Sequence, residues 1–141
     1  MRYLLDTNLL IELLRGNADH LLSRLDDQRG ELGVSAITVA ELDYGAAHAA
    51  DPAAMGADLD AMLGLLKIAP FDRDAARWAG QVRQRLAIAG TPIGPYDTLI
   101  AGHALALDVT LITHNTREFG RIPELALEDW QDDVTPPPER G

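Results

Sequence analysis

Short apolar runs separated by polar stretches rich in proline and glycine set the rhythm of this chain. Tyr3–Leu4–Leu5 is an unbroken apolar run ending at Asp6, the pattern of a strand buried on both faces. Asn8 is placed to cap a following helix that carries Leu9, Leu10, Leu13 and Leu14 and stops at Gly16. A second helix is expected from Asp19 to Arg29, with Leu21, Leu22 and Leu25 on one face and Gly30 at its end. Gly33–Val34–Ser35–Ala36 reads as a second strand. Thr38, with Glu41 three residues later, matches a capping box and predicts a helix running towards Ala50. Asp51–Pro52 breaks it, and Met55 to Leu66 forms the next helix.

Lys67 to Phe71 is a third strand candidate, after which Asp72 caps a long amphipathic helix through Ala89, closed by Gly90. Thr91 to Tyr96 is a loop full of breakers, and Asp97 is expected to cap a helix through Leu107. Val109 to Ile112 is the clearest strand by its β-branched content. A polar loop, a short helix and a last strand at Leu125–Leu127 follow. Strands alternating with helices imply a parallel sheet covered by helices on both faces. Such sheets bind ligands beyond the carboxyl ends of their strands, at a topological switch point. The organised domain is expected over residues 1–131, with 132–141, which include Pro136–Pro137–Pro138, as a flexible tail.

Composition narrows the classes. At 141 residues and 47% apolar content the chain is long enough for one domain with a real core. No apolar run approaches the roughly 20 residues of a membrane helix. Asp6 comes too early for the apolar region of a signal peptide, so a cytoplasmic location is expected. The absence of cysteine removes disulfides, thiolate catalysis and cysteine-ligated zinc. The net charge of −10 argues against a generic nucleic-acid binder. Yet every Lys and Arg except Arg140 falls within residues 2–121, which leaves room for a local basic face.

The switch-point rule picks out the residues with chemistry to offer. Asp6 ends the first strand, Glu41 and Asp97 sit early in helices, and Asn115 and Glu118 follow the Val109–Ile112 strand. Each has an ordinary alternative: Asp6 and Asp97 as caps, Glu41 as half of a capping box, Glu118 as an ion-pair partner of Arg121. Brought together, carboxylates repel and raise one another's pKa, a penalty that a divalent cation removes. An all-oxygen set suits Mg²⁺ or Mn²⁺. A metal held there would serve phosphodiester hydrolysis without a protein nucleophile. None of His20, His48, His103 and His114 stands in a tight ligand motif. His103, among alanines and Gly102, reads as a satisfied, packed side chain, and Ser35 has no visible acid–base partner.

Four blocks then resemble the motifs of PIN domains, and of the VapC toxin group in particular: Asp6–Thr7–Asn8, Ser35 to Leu42, Gly94 to Ala104, and Leu111 to Phe119. Leu125 to Trp130 is similar to the closing strand and tryptophan of that group. The likeness covers residues 1–131 and implies a three-layer α/β/α sandwich around a central parallel sheet of four or five strands. It implies an Mg²⁺- or Mn²⁺-dependent endoribonuclease toxin acting on structured RNA, tRNA or rRNA. Asp6, Glu41, Asp97 and Asn115 would form the catalytic set, with Asp6, Glu41 and Asp97 as metal ligands. Asn8 would orient the first carboxylate or a ligating water, and Thr113 would support the loop presenting the fourth position. Many PIN domains carry an acid where this chain has Asn115. That departure implies one firmly held metal, with Glu118 as a substitute ligand.

The same likeness implies a VapB-like antitoxin partner, docking on the apolar faces of the first helices (Ile11, Leu14 and Leu42 among them), and a homodimer. Arg117 is the leading RNA contact among the arginines. Two enzyme classes with an Asp after the first strand fit worse. Asn8 stands where a haloacid-dehalogenase phosphatase needs a second Asp, and Lys67, the sole lysine, is too early for a receiver domain. The remaining rival is a PIN-like interaction module whose catalysis is impaired by Asn115.

Overall fold

The computed structural model describes residues 1–131; the expected 132–141 tail lies outside the described residues. The chain runs β1 (Tyr3–Leu5), α1 (Thr7–Leu14), a 3-10 turn at Asp19–Leu21, α2 (Leu22–Asp27), β2 (Leu32–Ser35), α3 (Ala36–Ala47) and α4 (Pro52–Leu63). It continues through β3 (Lys67–Ala69), α5 (Arg73–Ala89), α6 (Pro95–Leu107), β4 (Thr110–Ile112), α7 (Thr116–Phe119) and β5 (Leu127–Glu128). The five strands form one sheet in the order β3-β2-β1-β4-β5, and every pair is parallel.

Strand alternation sends side chains to both faces. Tyr3 and Leu5 join Leu9, Leu10, Val34, Leu42, Leu59 and Trp130 on one face; Leu4 joins Val82, Leu86, Ile100, Ala104 and Phe119 on the other. Leu4, Leu10, Ile100 and Leu111 are fully buried, each worth roughly 1.5–3 kcal/mol relative to an exposed side chain. Gly102 is where α6 meets α5 most closely: a Cβ there would lie 2.4 Å from the backbone of Ala79. No helix among the described residues is long and apolar enough to cross a membrane.

Helix starts differ from the sequence expectation in three places. Asp6, not Asn8, caps α1, and Ser35, not Thr38, caps α3. In both cases the strand runs straight into the helix, so its last residue or the next one becomes the cap. Asp97 is not a cap either; Gly94 precedes Pro95 at the first position of α6, and Asp97 lies inside the first turn. The single helix expected from Asp19 to Arg29 is a 3-10 turn followed by the short α2. The last strand lies at Leu127–Glu128, beyond the Leu125–Leu127 expectation. Asp72 caps α5 through Ala75 N–H, and Gly90 closes it at φ 74°.

Candidate functional site

Chain order reverses between the neighbouring strands β1 and β4, which makes their carboxyl ends the switch point. Asp6 stands there. One carboxylate oxygen accepts the Thr7 N–H at 2.8 Å, and the other accepts the Thr113 hydroxyl, also at 2.8 Å. The second bond spans the crevice, since Thr113 leaves β4. Thr113 Oγ1 also accepts the Asn115 N–H at 2.9 Å, so one hydroxyl ties the Asn115 loop to Asp6. Both residues are almost wholly buried, Asp6 at 2% and Thr113 at 1% exposure.

Glu41 reaches the same place from α3. Thr7 Oγ1 donates to its carboxylate at 2.9 Å and lies 3.0 Å from Thr38 Oγ1. A hydroxyl has one proton, and Thr7 gives it to Glu41, so Thr38 donates to Thr7. The Thr38–Glu41 pair is therefore not a capping box. It is a relay from α3 through α1 that orients a carboxylate. Asp97 enters from the first turn of α6, whose start is fastened by Thr98 Oγ1 donating to the Gly94 carbonyl at 2.9 Å.

Electrostatics shows that these acids share one field. Burial raises the Asp6 pKa, against hydrogen bonds from Thr113 and Thr7 that lower it. Burial raises that of Glu41; the Thr7 hydroxyl pulls it back and the Asp6 charge adds to the rise. Asp97 is pushed up to about 6, by burial first and then by the charges of Asp6, Glu118 and Glu41. The charges of Asp6 after β1, Glu41 on α3 and Glu118 on α7 are thus all felt by Asp97 on α6. Among the described residues no three acidic or imidazole groups already stand in a metal-holding arrangement. The donor set is nonetheless all oxygen and anionic, and three of its members pay for carrying charge. A hard divalent cation offsets that cost, so Asp6, Glu41 and Asp97, with Glu118, fit Mg²⁺ or Mn²⁺.

Not every predicted residue takes its expected position. Asn8 is exposed, and the hydrogen bonds that orient Asp6 come from Thr7 and Thr113. Asn115 precedes α7 without a side-chain capping bond. Arg121 does not pair with Glu118 but donates to the Pro92 carbonyl at 3.1 Å. Arg117 is exposed, and His114 bonds Asp129 at 2.9 Å. Thr7 carries no role in the sequence reading, although its place between Asp6 and Asn8 was the available signal. His103 is buried as expected, with Nδ1 2.8 Å from Ser35 Oγ and Nε2 without a hydrogen bond of good geometry among the described residues.

Away from the acids, a groove of about 680 Å³ opens beside α1, α2 and α4, lined by Leu13, Leu14, Leu22, Leu25, Leu65 and Leu66 with Arg29 among them. Leu14 lies in it as expected. Leu42 does not: it is 4% exposed and belongs to the core, and Ile11 packs against that core.

An α/β/α sandwich with an acidic cluster at its switch point defines the class, and comparison with known proteins refines it. The PIN domain family model matches residues 3–125. A tRNA(fMet)-specific endonuclease VapC of Salmonella typhimurium is 38% identical over 92% of this chain and 98% of its own length. The ribonuclease VapC2 of Rickettsia felis is 36% identical over the same shares. Among solved structures, DNA-bound VapBC from Salmonella typhimurium superposes with a TM-score of 0.89 at 38% identity, covering 92% of this chain and 98% of that one. Promoter-bound VapBC2 from Rickettsia felis gives 0.88 at 35% identity, covering 92% and 99%. The chain belongs to the PIN-domain family and, within it, to the VapC ribonuclease group.

Proposed function

We propose that this protein is a divalent-metal-dependent endoribonuclease toxin that cuts structured RNA, with tRNA ahead of rRNA, and is held in check by a VapB-like antitoxin. The observation that carries the reading is Asp6 held by Thr7 and Thr113 at the β1–β4 switch point and Glu41 held by the same Thr7, with the charges of Asp6, Glu118 and Glu41 all acting on Asp97. Preference for tRNA rests on the relative named for cleaving tRNA(fMet).

Asp6, Glu41 and Asp97 would hold the cation, with Glu118 completing the oxygen set. When bound, the cation supplies Lewis-acid activation of water and of a phosphoryl oxygen, and neutralises charge on the scissile phosphate. The chain's own part is to hold these oxygens. Thr113 and Thr7 fix both oxygens of Asp6, and the Thr38–Thr7 relay fixes Glu41. Asn115 contributes a neutral amide where an acid would add charge, which favours a single firmly held ion. Arg117, exposed on α7 one residue from Glu118, would meet an RNA phosphate.

The antitoxin would lay an apolar helix in the groove beside α1, α2 and α4. An arginine from its C-terminal segment would suit the acidic cluster. The protein would work as a homodimer in the cytoplasm, where its RNA substrate lies. The test is cleavage of total tRNA by antitoxin-free protein with Mg²⁺ or Mn²⁺, beside EDTA and Asp6→Ala controls. Discrete fragments that vanish with EDTA and with Asp6→Ala are expected. Fragments that persist in EDTA would remove the metal from the reading, and no cleavage of tRNA or rRNA by the folded protein would leave the interaction module.

A further inference from the structure

His103 is an odd tenant of the core. It is 1% exposed, beside alanines that need no polar partner. Its Nδ1 shares a 2.8 Å hydrogen bond with Ser35 Oγ, which is itself fully buried. Its Nε2 makes no hydrogen bond of good geometry among the described residues; the Pro70 carbonyl is the one backbone acceptor among them that acts on the ring, and a poorly paired buried nitrogen lowers stability. Burial depresses its pKa, and a hydrogen bond to the Pro70 carbonyl and the charge of Asp72 oppose the shift. Phe71 meets the ring edge-on at 5.2 Å between centroids. A leucine would fill this space without a poorly paired nitrogen but would leave Ser35 Oγ without this bond, so packing alone does not account for an imidazole.

The bond joins two particular places. Ser35 is the N-cap of α3, where Oγ also accepts the Ile37 N–H at 3.1 Å. Glu41 lies six residues along that helix, and Asp97 lies six residues before His103 on α6. Each carboxylate is therefore on the order of 9 Å of helix rise from one end of a single hydrogen bond. On its other side α6 is fixed by the contact of Gly102 with the Ala79 backbone. The helix is held between a close-packed neighbour and a directional bond.

We infer that His103 is a positioning residue: through Ser35 it sets the separation of α3 and α6, and with it the spacing of Glu41 and Asp97 across the carboxylate site. The inference rests on the metal-dependent reading above. Outer-shell groups that orient ligands typically govern metal affinity by 10- to 100-fold.

The test is calorimetric titration of Mn²⁺ into the antitoxin-free, RNA-free protein, beside steady-state cleavage of tRNA and thermal unfolding. His103→Leu is expected to weaken Mn²⁺ binding at least about tenfold and to lower kcat, with KM for RNA unchanged. His103→Asn, whose amide reaches the place of Nδ1, is expected to restore affinity to within about threefold of the parent. Unchanged Mn²⁺ affinity in a folded His103→Leu protein, whatever its Tm, would overturn the inference and leave His103 a core residue. Equal losses in the Leu and Asn variants would overturn it too, since packing rather than the hydrogen bond would then be at work. Should His103→Leu fail to fold, Ser35→Ala carries the same comparison: a tenfold loss supports the inference and parental affinity overturns it. A parent protein that binds no Mn²⁺ would instead sink the metal reading, a different and separately visible result.

Discussion

The two faces of the sheet are covered in opposite ways. On one side α5 and α6 close over Leu4 and Leu111 so tightly that Gly102 leaves no space for a single methyl group against Ala79. On the other side α1, α2 and α4 cover the strands incompletely, leaving a leucine-lined groove of about 680 Å³ with Leu65 76% and Leu22 53% exposed. The closed face delivers Asp97, and the open face delivers the helix that Asp6 caps. The difference separates two demands. Holding carboxylates against their own repulsion calls for packing that cannot relax, whereas accepting a partner calls for apolar surface left uncovered.

Gly102→Val tests the closed face and carries the largest expected effect. The branched side chain has to displace the Ala79 backbone, which lies 2.4 Å from the place of its Cβ. The loss of stability is expected at or above the top of the ~1–3 kcal/mol range for overpacked cores. Urea unfolding measures it. A loss below about 1 kcal/mol would mean that this face has as much slack as the other.

Next comes the bond across the switch point. Thr113→Val keeps the shape of the side chain and removes the hydroxyl that donates to Asp6 and accepts from Asn115. An orienting group of this kind is expected to be worth about 10- to 100-fold in Mn²⁺ affinity. Calorimetric titration reads it directly. Parental affinity in Thr113→Val would show that the β1 side positions Asp6 without help from β4.

Acid pH provides a smaller, opposite signature. The Asp97 carboxyl is raised from 3.8 to about 6 in the fold, so between those values the native state holds more protons than the unfolded chain. Metal-free protein should therefore lose stability as pH rises through that window and be least stable above it. The partial exposure of Asp97 screens the effect, so its amplitude stays below the linkage limit. Asp97→Asn should flatten this slope and raise the Tm of the metal-free protein at pH 7. Saturating Mn²⁺ should flatten it in the parent alone. A metal-free parent whose Tm does not fall between pH 4 and 7 would contradict the shared field of the four acids.

Much of the architecture was legible because its signals are local. Asp72 and Gly90 bracket α5 as the sequence implies, and the apolar Tyr3–Leu5 run is β1. The helix caps at α1 and α3 were misread for a physical reason. A strand that passes into a helix without a loop makes Asp6 or Ser35 serve at once as strand end and cap, and composition does not mark that double duty. The acids Asp6, Glu41 and Asp97 could be singled out because a parallel sheet gathers its carboxyl ends. What orients them could not, because Thr7 with Glu41, Thr113 with Asp6 and Ser35 with His103 are contacts between residues 34, 107 and 68 positions apart. Hydroxyls are common, and only the fold says which of them meets a carboxylate.

The open face predicts the smallest change of all in the protein itself. Leu65 is 76% exposed, so Leu65→Ala removes little buried surface and should alter stability by less than about 0.5 kcal/mol. The same truncation deletes part of the groove wall. Retention of the co-expressed antitoxin should then fall while tRNA cleavage by the freed protein stays at the parental rate, because Leu65 touches none of the four acids. Urea unfolding and a pull-down of the pair read the two sides together. A loss above 1 kcal/mol would place Leu65 in the working core and close the groove as a partner surface. Unchanged stability with undiminished antitoxin retention would move the partner elsewhere and leave the asymmetry of the two faces without this use.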